Sequence, residues 1–583
     1  MPDDSPNLGL PYLAAAQAQK HVTMNEALRR LDALVQPTIE TRSLLAEPSA
    51  PTDGTAYILP IGKSGTAWAA PAANSLALWQ DGLWTFLTPK IGWQVFARDE
   101  KSILAFDGTA WITLAKLNGL RGRADRLVAF VGTSLVQNGN ESSSTKTTTA
   151  SARGWQNWAH VLSHGRFDAP LWWDDADFPN TTNKRWFRGL NEGVSGQSST
   201  DIIARLDRVI ALKPVLVVLD IGTNDVGGGA TFEALRDNTI AAVKRLTNEG
   251  IEVLLLPILA RATSVGGAWA AGAAGRKLAA RVNAWRQDWA RTQHGVSTLD
   301  WNLAWQDPNS TEGEPLANYS SDGTHFSVQG AFAVGKALAR WFETAFPAAS
   351  PRLVSRGDVF DATNNPLGNL IPNPLFARTT GGSFGTATIA HPSPPGGATA
   401  GLADSWRVER STGSAVTART YVAPKLDDWG FARGNNQAIE FVPSGTATER
   451  FFLRPAPADI THSFAAGVWV QAFADIEVSA WDGWRSLRLR LEHRSATSFL
   501  QAVIGLDEFE PTSGTGVFDP LPGEAWKGRI VTPLMRLDAG GTVFRPRVEI
   551  AVQGTGAGTP TLQIAAFGLR QVEDPRPALG IPT

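Results

Sequence analysis

Residues 127–134 read Leu-Val-Ala-Phe-Val-Gly-Thr-Ser, an apolar run that ends in two small residues and a serine. An unbroken apolar run of this length is typical of a strand that is buried on both faces of a parallel sheet. A tight turn after the strand would raise the hydroxyl of Ser134 above the sheet edge, where ligands bind in open α/β folds. The stretch therefore predicts an α/β fold and makes Ser134 a candidate nucleophile.

Apolar runs of the same kind alternate with helical segments along the centre of the chain. Further apolar runs occupy residues 215–219, 251–256 and 296–299, the last of them the weakest. Helical periodicity marks residues 202–212, 232–247, 278–292 and 328–346. Strands that alternate with helices in this way predict a doubly wound parallel sheet of the flavodoxin-like kind.

Composition narrows the classes of function. The chain has 583 residues, 43% hydrophobic and 19% charged, with a formal net charge of −2, so a nucleic-acid partner is not expected. Cysteine is absent, which excludes disulfides, a thiolate nucleophile and a Cys-based zinc site. We find no metal-ligand spacing or phosphate loop and expect neither metal nor cofactor. No apolar run reaches the roughly 20 residues of a spanning helix, and the acidic N-terminus is no signal peptide, so we expect synthesis in the cytoplasm and no membrane insertion.

The length predicts several domains, and we place them at residues 1–120, 121–350 and 351–583. The first is expected to be a small helix-plus-β module. Thr23-Met24-Asn25-Glu26 fits a capping box at the start of a helix. The apolar face of that helix is expected to consist of Leu28, Leu31, Leu34 and Val35. Asp81-Gly82 and Asp107-Gly108, each flanked by aromatic residues, then predict two similar hairpins.

Residues 351–583 lack helical periodicity and show short turn-bounded strands, which predicts an all-β sandwich. The alternation of Leu and Arg at residues 487–491 predicts a half-exposed antiparallel strand. The stretch Asn369-Leu370-Ile371-Pro372-Asn373-Pro374-Leu375-Phe376 is similar to the opening of jelly-roll modules that often bind carbohydrate. We therefore interpret this region as a jelly-roll sandwich and a candidate carbohydrate-binding module.

Four short blocks carry the chemistry: Gly132-Thr133-Ser134, Val194-Ser195-Gly196-Gln197, Gly222-Thr223-Asn224-Asp225 and Asp322-Gly323-Thr324-His325. They supply a hydroxyl nucleophile, two further oxyanion donors, and a carboxylate three residues before an imidazole base. That set is sufficient for acyl transfer through an activated serine. The order of the four blocks along the chain is also that of the SGNH branch of the GDSL hydrolases. The chain resembles this family from residue 125 to residue 347.

The resemblance implies a serine esterase that needs no cofactor. Ser134 would be the nucleophile, His325 the general base, and Asp322 the carboxylate that orients the imidazole. The oxyanion hole would comprise the backbone N–H groups of Ser134 and Gly196 and the side-chain amide of Asn224.

Three details of these motifs leave alternatives open. The family has Gly-Asp-Ser where this chain has Thr133 before the serine, so the nucleophile is kept and the effect of Thr133 on activity stays open. Gly193 competes with Gly196 for the second oxyanion position, and motif alignment favours Gly196. The pair Asp459 and His462 repeats the spacing of the catalytic pair but lies in the β region, so we interpret it as a loop.

Aromatic and acidic residues between the first two blocks suggest a rim that suits a polyhydroxylated ligand. The candidate substrate contacts are Trp172, Trp173 and Trp186. Trp155 and Trp158 are spaced like one face of a helix and are expected in the core instead.

The N-terminal stretch, with Leu8-Gly9-Leu10-Pro11-Tyr12, resembles a domain of unknown function from tail-fibre and spike proteins of phages and gene transfer agents. The resemblance implies a virion or phage-like particle component, released by lysis, with other virion proteins and host polysaccharide as partners. Fibre proteins are usually homo-oligomers. We therefore expect an esterase that removes O-acyl, above all O-acetyl, groups from host surface polysaccharide. The alternatives are an inactive glycan-binding adhesin on the same scaffold, and a lipase or arylesterase.

Overall fold

The fold is described from a computed structural model. The structure describes residues 20–113, 126–143, 147–173, 187–349, 355–379, 381–426, 432–495, 499–505, 520–554 and 558–579. The chain divides into two compact units, residues 1–124 and residues 125–583. Residues of the second and third predicted domains therefore belong to one unit.

The first unit combines one helix, α1 (Lys20–Leu34), with short strands. The strands are β1 (Thr38–Ile39), β2 (Ala56–Ile58), β3 (Leu76–Gln80), β4 (Leu83–Leu87), β5 (Gln94–Ala97), β6 (Ser102–Phe106) and β7 (Trp111–Thr113). They form a three-stranded sheet in the order β2-β3-β4 and a four-stranded sheet in the order β1-β5-β6-β7.

The Asp81-Gly82 turn joins β3 to β4 as a two-residue hairpin. Both residues have positive φ, 52° and 78°, which is the geometry that favours Asp-Gly at this turn. Trp79 and Trp84 pair directly across the strands with ring centroids 5.1 Å apart. Aromatic cross-strand contacts of this kind stabilise the pairing.

The prediction for α1 is wrong in two respects. Thr23 lies inside the helix, which already includes Lys20, so Thr23 is not its N-cap. The expected apolar face is also turned outward, since Leu31 is 47% and Val35 41% exposed, whereas Asp32 is buried and accepts a hydrogen bond from Gln80. The hydrogen bond between Asp32 and Gln80 of β3 therefore decides which face of α1 is buried, although the apolar residues of the helix predict a different face.

The second unit is built around a five-stranded parallel sheet in the order β13-β8-β14-β15-β16. The strands of this sheet are β8 (Val128–Gly132), β13 (Asn191–Gly193), β14 (Leu216–Leu219), β15 (Glu252–Leu255) and β16 (Val296–Thr298). Two antiparallel pairs lie between β8 and β13 in the chain: β9 (Asn140–Ser143) with β10 (Thr147–Ala150), and β11 (Leu171–Trp173) with β12 (Phe187–Gly189). The helices of this region are α2 (Ser134–Gln137), α3 (Trp155–Leu162), α4 (Ser199–Ala204), α5 (Leu206–Ala211), α6 (Thr223–Gly227), α7 (Phe232–Asn248), α8 (Ala274–Ala290) and α9 (Val328–Ala345).

The predicted βαβ series is confirmed. Strands β8, β14, β15 and β16 fall within or next to the predicted apolar runs, and β8 and β14 are buried along their whole length. Trp155 and Trp158 on α3 are both fully buried, as expected. Strand β13 was not predicted, because its sequence Asn-Glu-Gly lacks any apolar residue.

The C-terminal region forms two antiparallel-rich sheets, which we call sheet A and sheet B. Its strands are β17 (Ser383–Phe384), β18 (Thr388–Ala390), β19 (Thr399–Ala400), β20 (Trp406–Thr412), β21 (Thr417–Leu426), β22 (Ala432–Val442), β23 (Glu449–Pro455), β24 (Ile460–Thr461), β25 (Trp469–Val478), β26 (Trp484–Arg494), β27 (Phe499–Gly505), β28 (Trp526–Val531), β29 (Met535–Arg536), β30 (Val543–Val552) and β31 (Thr561–Val572). A short helix, α10 (Pro575–Ala578), follows. Sheet A has the order β17-β20-β23-β30-β26-β27-β10-β9, and sheet B the order β18-β21-β22-β31-β25-β28.

Sheet A extends beyond the C-terminal region. Strand β10 pairs in parallel with β27, and β9 pairs with β10, so a hairpin that follows the nucleophile segment completes this sheet. Sheet B packs against the α/β region, where Trp158 of α3 meets Trp526 of β28 edge-on at 5.3 Å. The two predicted domains are thus joined both by strand pairing and by shared core contacts.

The second Asp-to-His spacing, at Asp459 and His462, does not form a catalytic pair. The Asp459 carboxylate binds the guanidinium of Arg545. The His462 ring instead stacks on Phe544, with centroids 4.1 Å apart, and lies 5.1 Å from the ring of His493. Both residues flank the short strand β24 and belong to the structure of the sandwich.

Within the described residues, no helix combines the length and the apolar character needed to span a bilayer.

Candidate active site

Each of four neighbouring strands of the parallel sheet is followed, within a few residues of its carboxyl end, by one polar group of the site. In sheet order, β13 leads to Gly196, β8 to Ser134, β14 to Asn224 and β15 to Arg261. Because parallel strands present their carboxyl ends at one edge, the topology gathers residues that are up to 127 positions apart. The fifth contribution, His325, comes from the loop before α9.

Ser134 opens the short helix α2 directly after β8, and it is 8% exposed. The preceding Thr133 is the N-cap of α2 and donates its hydroxyl to the Asp220 carboxylate over 3.0 Å. The backbone N–H of Thr133 points to the same oxygen at 3.4 Å. The carboxylate of Asp220, directly after β14, therefore holds the turn before Ser134 in place. Thr133 occupies the position at which the family that this chain resembles has an aspartate.

Asp220 is fully buried, and burial raises the pKa of its carboxyl above the usual range. The two hydrogen bonds from Thr133 and the positive charges of Arg286 and Arg261 act in the opposite direction. Gly132 leaves room for this contact, because a Cβ there would lie 2.6 Å from Val136 and 2.9 Å from the Asp220 side chain.

His325 connects the nucleophile to Asp322. Its Nε2 atom lies 2.9 Å from the hydroxyl oxygen of Ser134, and its Nδ1 atom lies 2.7 Å from the Asp322 carboxylate. Both contacts are within hydrogen-bond distance, so the imidazole can accept the serine proton while the carboxylate holds the ring and its tautomer.

The second carboxylate oxygen of Asp322 accepts the backbone N–H groups of Thr324 and His325, each over 2.8 Å. Partial burial acts to raise the pKa of Asp322, but the hydrogen bonds from the ring and backbone of His325 and from Thr324 outweigh it and lower the pKa to about 2. Asp322 is therefore ionised at neutral and moderately acidic pH, as an orienting carboxylate requires.

The loop after β13 brings the N–H of Gly196 to the site. Gly196 is exposed and has φ of +79°, which favours glycine, and no atom lies within 4 Å of where its Cβ would be. The N–H of the preceding Ser195 is bound by the side chain of Gln137 at 2.5 Å. Within the described residues, the Gly196 N–H has no protein acceptor, which leaves it available to an oxyanion.

Gly193, the alternative position, is a residue of β13 itself. A Cβ there would lie 2.3 Å from the backbone nitrogen of Gln137, so this glycine allows the close approach of strand and helix α2. The structure thus assigns Gly193 a packing role.

Asn224 lies in the first turn of α6 and reaches the same loop. Its Nδ2 atom donates one hydrogen bond to the carbonyl of Gln197 over 2.9 Å, and the second amide hydrogen has no acceptor among the described residues. The adjacent Asp225 accepts the backbone N–H and the hydroxyl of Ser199 at the start of α4. Two consecutive residues after β14 therefore fasten the loop that carries Gly196.

Arg261, which follows β15, was not singled out from the sequence. Its Nη2 atom donates to the side-chain oxygens of Thr223 (2.9 Å) and Asn224 (3.1 Å). Because the oxygen of the Asn224 amide is bound in this way, its NH₂ group is directed to the opposite side, toward the carbonyl of Gln197. Burial lowers the pKa of Arg261, whereas the nearby carboxylates of Asp220 and Asp322 raise it.

The segment that follows Arg261 also supports the catalytic loop. The N–H of Ala262 donates to the carbonyl of Gly323 over 2.8 Å. Gly323 has φ of +78°, and a Cβ at this position would lie 2.8 Å from the Cβ of Ala262. This close contact sets the position of Asp322 and His325 relative to the sheet.

The predicted aromatic rim is not where it was expected. Trp172 is 2% exposed and packs edge-on against Trp469 of sheet B, with centroids 5.6 Å apart, so it belongs to the core and the prediction of a substrate contact is wrong. The position of Trp173 is described only as part of β11. Trp186 lies outside the described residues.

No cluster of three or more His, Cys, Asp or Glu side chains with the geometry of a metal site occurs in the part of the chain that the structure describes.

Two segments match known protein families. Residues 24–112 match a protein family of unknown function, DUF2793. Residues 130–331, about a third of the chain, match the GDSL-like Lipase/Acylhydrolase family. The matched residues include all four blocks, so the similarity to this family spans Ser134, Gly196, Asn224, Asp322 and His325.

Individual relatives share parts of this domain. Esterase TesA of Pseudomonas aeruginosa is 37% identical over 73 residues, which are 12% of this chain and 36% of that protein. The chain thus spans about a third of the length of the curated relative it matches. Among solved structures, a GDSL-like lipase from Bacteroides thetaiotaomicron is 18% identical, covers 38% of this chain and 89% of its own, and has a TM-score of 0.27. The acetyl xylan esterase AlAXEase is 18% identical, covers 37% and 98%, and has a TM-score of 0.26.

Proposed function

From a GDSL-type domain in which Ser134, His325 and Asp322 form one hydrogen-bonded chain, we propose that the protein is a serine ester hydrolase. The observation that carries the proposal is the 2.9 Å contact between the Ser134 hydroxyl and Nε2 of His325, with Asp322 2.7 Å behind the ring. Nucleophile, base and orienting group need this geometry and no metal for acyl transfer.

The reaction proceeds in two steps. His325 takes the proton of Ser134 as the hydroxyl oxygen attacks the ester carbonyl, and the oxyanion is bound by the N–H groups of Ser134 and Gly196 and the amide of Asn224. The imidazolium then protonates the leaving alcohol, and an acyl-enzyme remains. Water, deprotonated by His325, attacks the acyl-enzyme and releases the carboxylic acid and the free serine.

We propose O-acylated polysaccharide, above all O-acetylated, as the substrate class. Several polar side chains form hydrogen bonds with the residues of the triad, the Gly196 loop and Asn224: Gln137, Ser195, Gln197, Asn224, Arg261 and Ser320. Such surroundings suit a small acyl group on a hydroxylated alcohol better than a long acyl chain, which needs an apolar channel.

The N-terminal unit supports a proposal about context. Its resemblance to tail-fibre and spike proteins, together with the match to DUF2793 over residues 24–112, favours a component of a phage-like particle that acts on host surface polysaccharide. In this setting, homo-oligomers, other virion proteins and host glycan are the proposed partners, and the C-terminal sandwich, a proposed jelly roll, is the proposed glycan-binding part.

Hydrolysis of p-nitrophenyl esters and release of acetate from chemically O-acetylated xylan test the proposal. The wild type is expected to hydrolyse acetyl esters and to prefer them to octanoyl esters, and Ser134→Ala is expected to be inactive. A preference for octanoyl esters would favour a lipase. Equal inactivity of both proteins, with retained binding to the polysaccharide, would instead favour the adhesin.

A further inference from the structure

Helix α1 packs on the rest of the first unit with a polar face. Asn25 and Asp32 are buried, and Asp32 accepts a hydrogen bond from the side chain of Gln80. Arg29 binds the Asp81 carboxylate over 2.6 Å. A surface helix of a globular protein ordinarily turns its apolar residues to the core and its polar residues to solvent. The polarity of α1 is therefore inverted relative to its own unit.

The outward apolar residues of α1 follow a heptad pattern. They are Met24, Leu28, Leu31 and Val35, which we call the α1 stripe, and successive members lie four, three and four positions apart. Met24, Leu31 and Val35 are 50%, 47% and 41% exposed, and Leu28 is partly exposed. The N–H of Val35 donates to the carbonyl of Leu31, so the helical turn continues to the end of the stripe. This spacing forms a seam along one side of a helix, the pattern by which two helices pack side by side.

No charged residue interrupts the α1 stripe. The exposed side chains of Glu26 and Arg30 form an ion pair with each other over 2.9 Å, and at 3.6 residues per turn they lie on the side of the helix away from the stripe. Ala27 and Leu34 lie between this ion pair and the stripe, and both are exposed. The outward surface of α1 is thus broad and uncharged, which requires an apolar partner.

Exposed apolar surface continues from the end of α1 onto the four-stranded sheet. Phe96 of β5 and Ile103 of β6 lie opposite each other, and both are exposed. The N–H of Phe96 donates to the carbonyl of Pro37, two residues after Val35. Among the described residues, eleven exposed large apolar side chains lie in the first unit and seven in the second, which is more than three times as long. Such a concentration is typical of a surface that associates with another protein.

A second copy of the chain supplies the partner that the α1 stripe requires. Within residues 20–113, α1 is the only helix, so this part of the unit offers no second helix for the seam. An identical stripe on another copy has the same heptad spacing and carries no charge that would oppose the contact. Identical surfaces that meet around a symmetry axis form a closed oligomer.

We infer that α1 packs along α1 of a second copy of this chain, with Met24, Leu28, Leu31 and Val35 in the shared seam. The contact gives a surface to the homo-oligomer that is part of the proposed function. The choice of this surface rests on the composition and exposure of α1, and it does not depend on ester hydrolysis.

Cysteine cross-linking tests the contact directly, because the chain has no cysteine of its own. Met24→Cys, Leu31→Cys and Val35→Cys are introduced one at a time into the full chain, which is then oxidised mildly. In a parallel pair each variant is expected to form an inter-chain disulfide, since a seam residue meets its counterpart. In an antiparallel pair, the mixture of Met24→Cys with Val35→Cys is expected to form one. Ile61→Cys, at a side chain that is 85% exposed outside α1, is the control and is expected to form none.

Sedimentation of the full chain measures the contribution of the stripe. The wild type is expected to associate, and the combined substitutions Leu31→Gln and Val35→Gln are expected to weaken association about 100-fold or more, because every copy loses two apolar side chains from the seam. The matched control, Ile61→Gln with Ile91→Gln, changes two exposed apolar residues outside α1 and is expected to associate like the wild type. Circular dichroism at 25 °C checks that both double variants are folded, and both are expected to hydrolyse p-nitrophenyl acetate normally.

A monomeric wild type would overturn the inference. In that case, a lower thermal midpoint of the Leu31→Gln, Val35→Gln variant would show that the stripe is covered within its own chain, and an unchanged midpoint would show that it is bare.

Equal association of the two double variants, or the absence of any disulfide from single or mixed seam cysteines, would place the contact elsewhere and would also overturn the inference. Loss of ester hydrolysis in the wild type, with association intact, would refute the proposed hydrolase and leave the α1 contact standing.

Discussion

Replacing Arg261 by methionine tests whether the oxyanion hole depends on a residue outside its motifs. The guanidinium donates to Asn224 and Thr223 over 3.1 and 2.9 Å, and the first of these bonds fixes which side of the amide carries the NH₂ group. Arg261→Met removes that constraint while it keeps most of the apolar bulk. The Asn224 amide is then free to rotate away from the developing oxyanion.

The size of the effect follows from two bounds. Loss of a complete oxyanion donor costs about 2.7–4 kcal/mol of transition-state stabilisation. A charge-assisted hydrogen bond that only orients the donor contributes less, about 1.5–3 kcal/mol. We therefore expect Arg261→Met to lower kcat for p-nitrophenyl acetate about 10- to 150-fold with little change in KM.

A double-mutant cycle separates orientation from charge. If Arg261 acts through Asn224, the variant with both Arg261→Met and Asn224→Ala is expected to be no slower than Asn224→Ala alone. Arg261→Lys, which keeps the charge without the planar fork, is expected to recover only part of the activity. Additive losses in the cycle would refute the reasoning, because Arg261 would then act on the reaction independently of the amide. Thermal midpoints within a few degrees of the wild type exclude misfolding as the cause.

Three further predictions concern the catalytic loop and the sandwich. Gly323→Ala is expected to lower both activity and thermal midpoint, since its Cβ would lie 2.8 Å from that of Ala262 at a φ of +78°, and a normal midpoint would contradict this. Because the pKa of Asp322 is about 2, the acid limb of kcat/KM is expected to show a single proton above pH 4, and Asp322→Asn to cost about 10³-fold or more in kcat, which pH–rate profiles measure. Burial and the neighbouring His493 lower the pKa of His462 to about 4, against about 6.5 in an unfolded chain, so its contribution to stability is complete above pH 6.5 and is lost as pH falls toward 4. Melting curves at pH 7.5 and pH 4.5 are expected to show a smaller acid shift for His462→Phe than for the wild type, and equal shifts would disprove the assignment.

Local signals in the sequence predicted the elements that local rules decide. The apolar run at residues 127–131 and its parallel neighbours needed only strand length and burial, and the Asp81-Gly82 turn needed only its two residues. The four catalytic blocks lie at the ends of strands or before the last helix, so their convergence followed from the topology once the parallel sheet was recognised.

Features set by distant partners were not predictable in the same way. Trp172 resembles an exposed rim residue until Trp469, almost 300 positions later, covers it. Asp32 is buried because Gln80 satisfies it, which turns Leu31 outward. Arg261 belongs to no motif, and its role is visible only from its contact with Asn224.

The central claim is that Ser134 is a nucleophile activated by His325. Covalent labelling tests it most directly: the protein is treated with a diethyl phosphoryl ester such as paraoxon, and its intact mass and peptide map are recorded. The account predicts one diethyl phosphate adduct, located on Ser134, that forms far more slowly in His325→Ala. Absence of an adduct in the wild type, or labelling of a different serine, would contradict it.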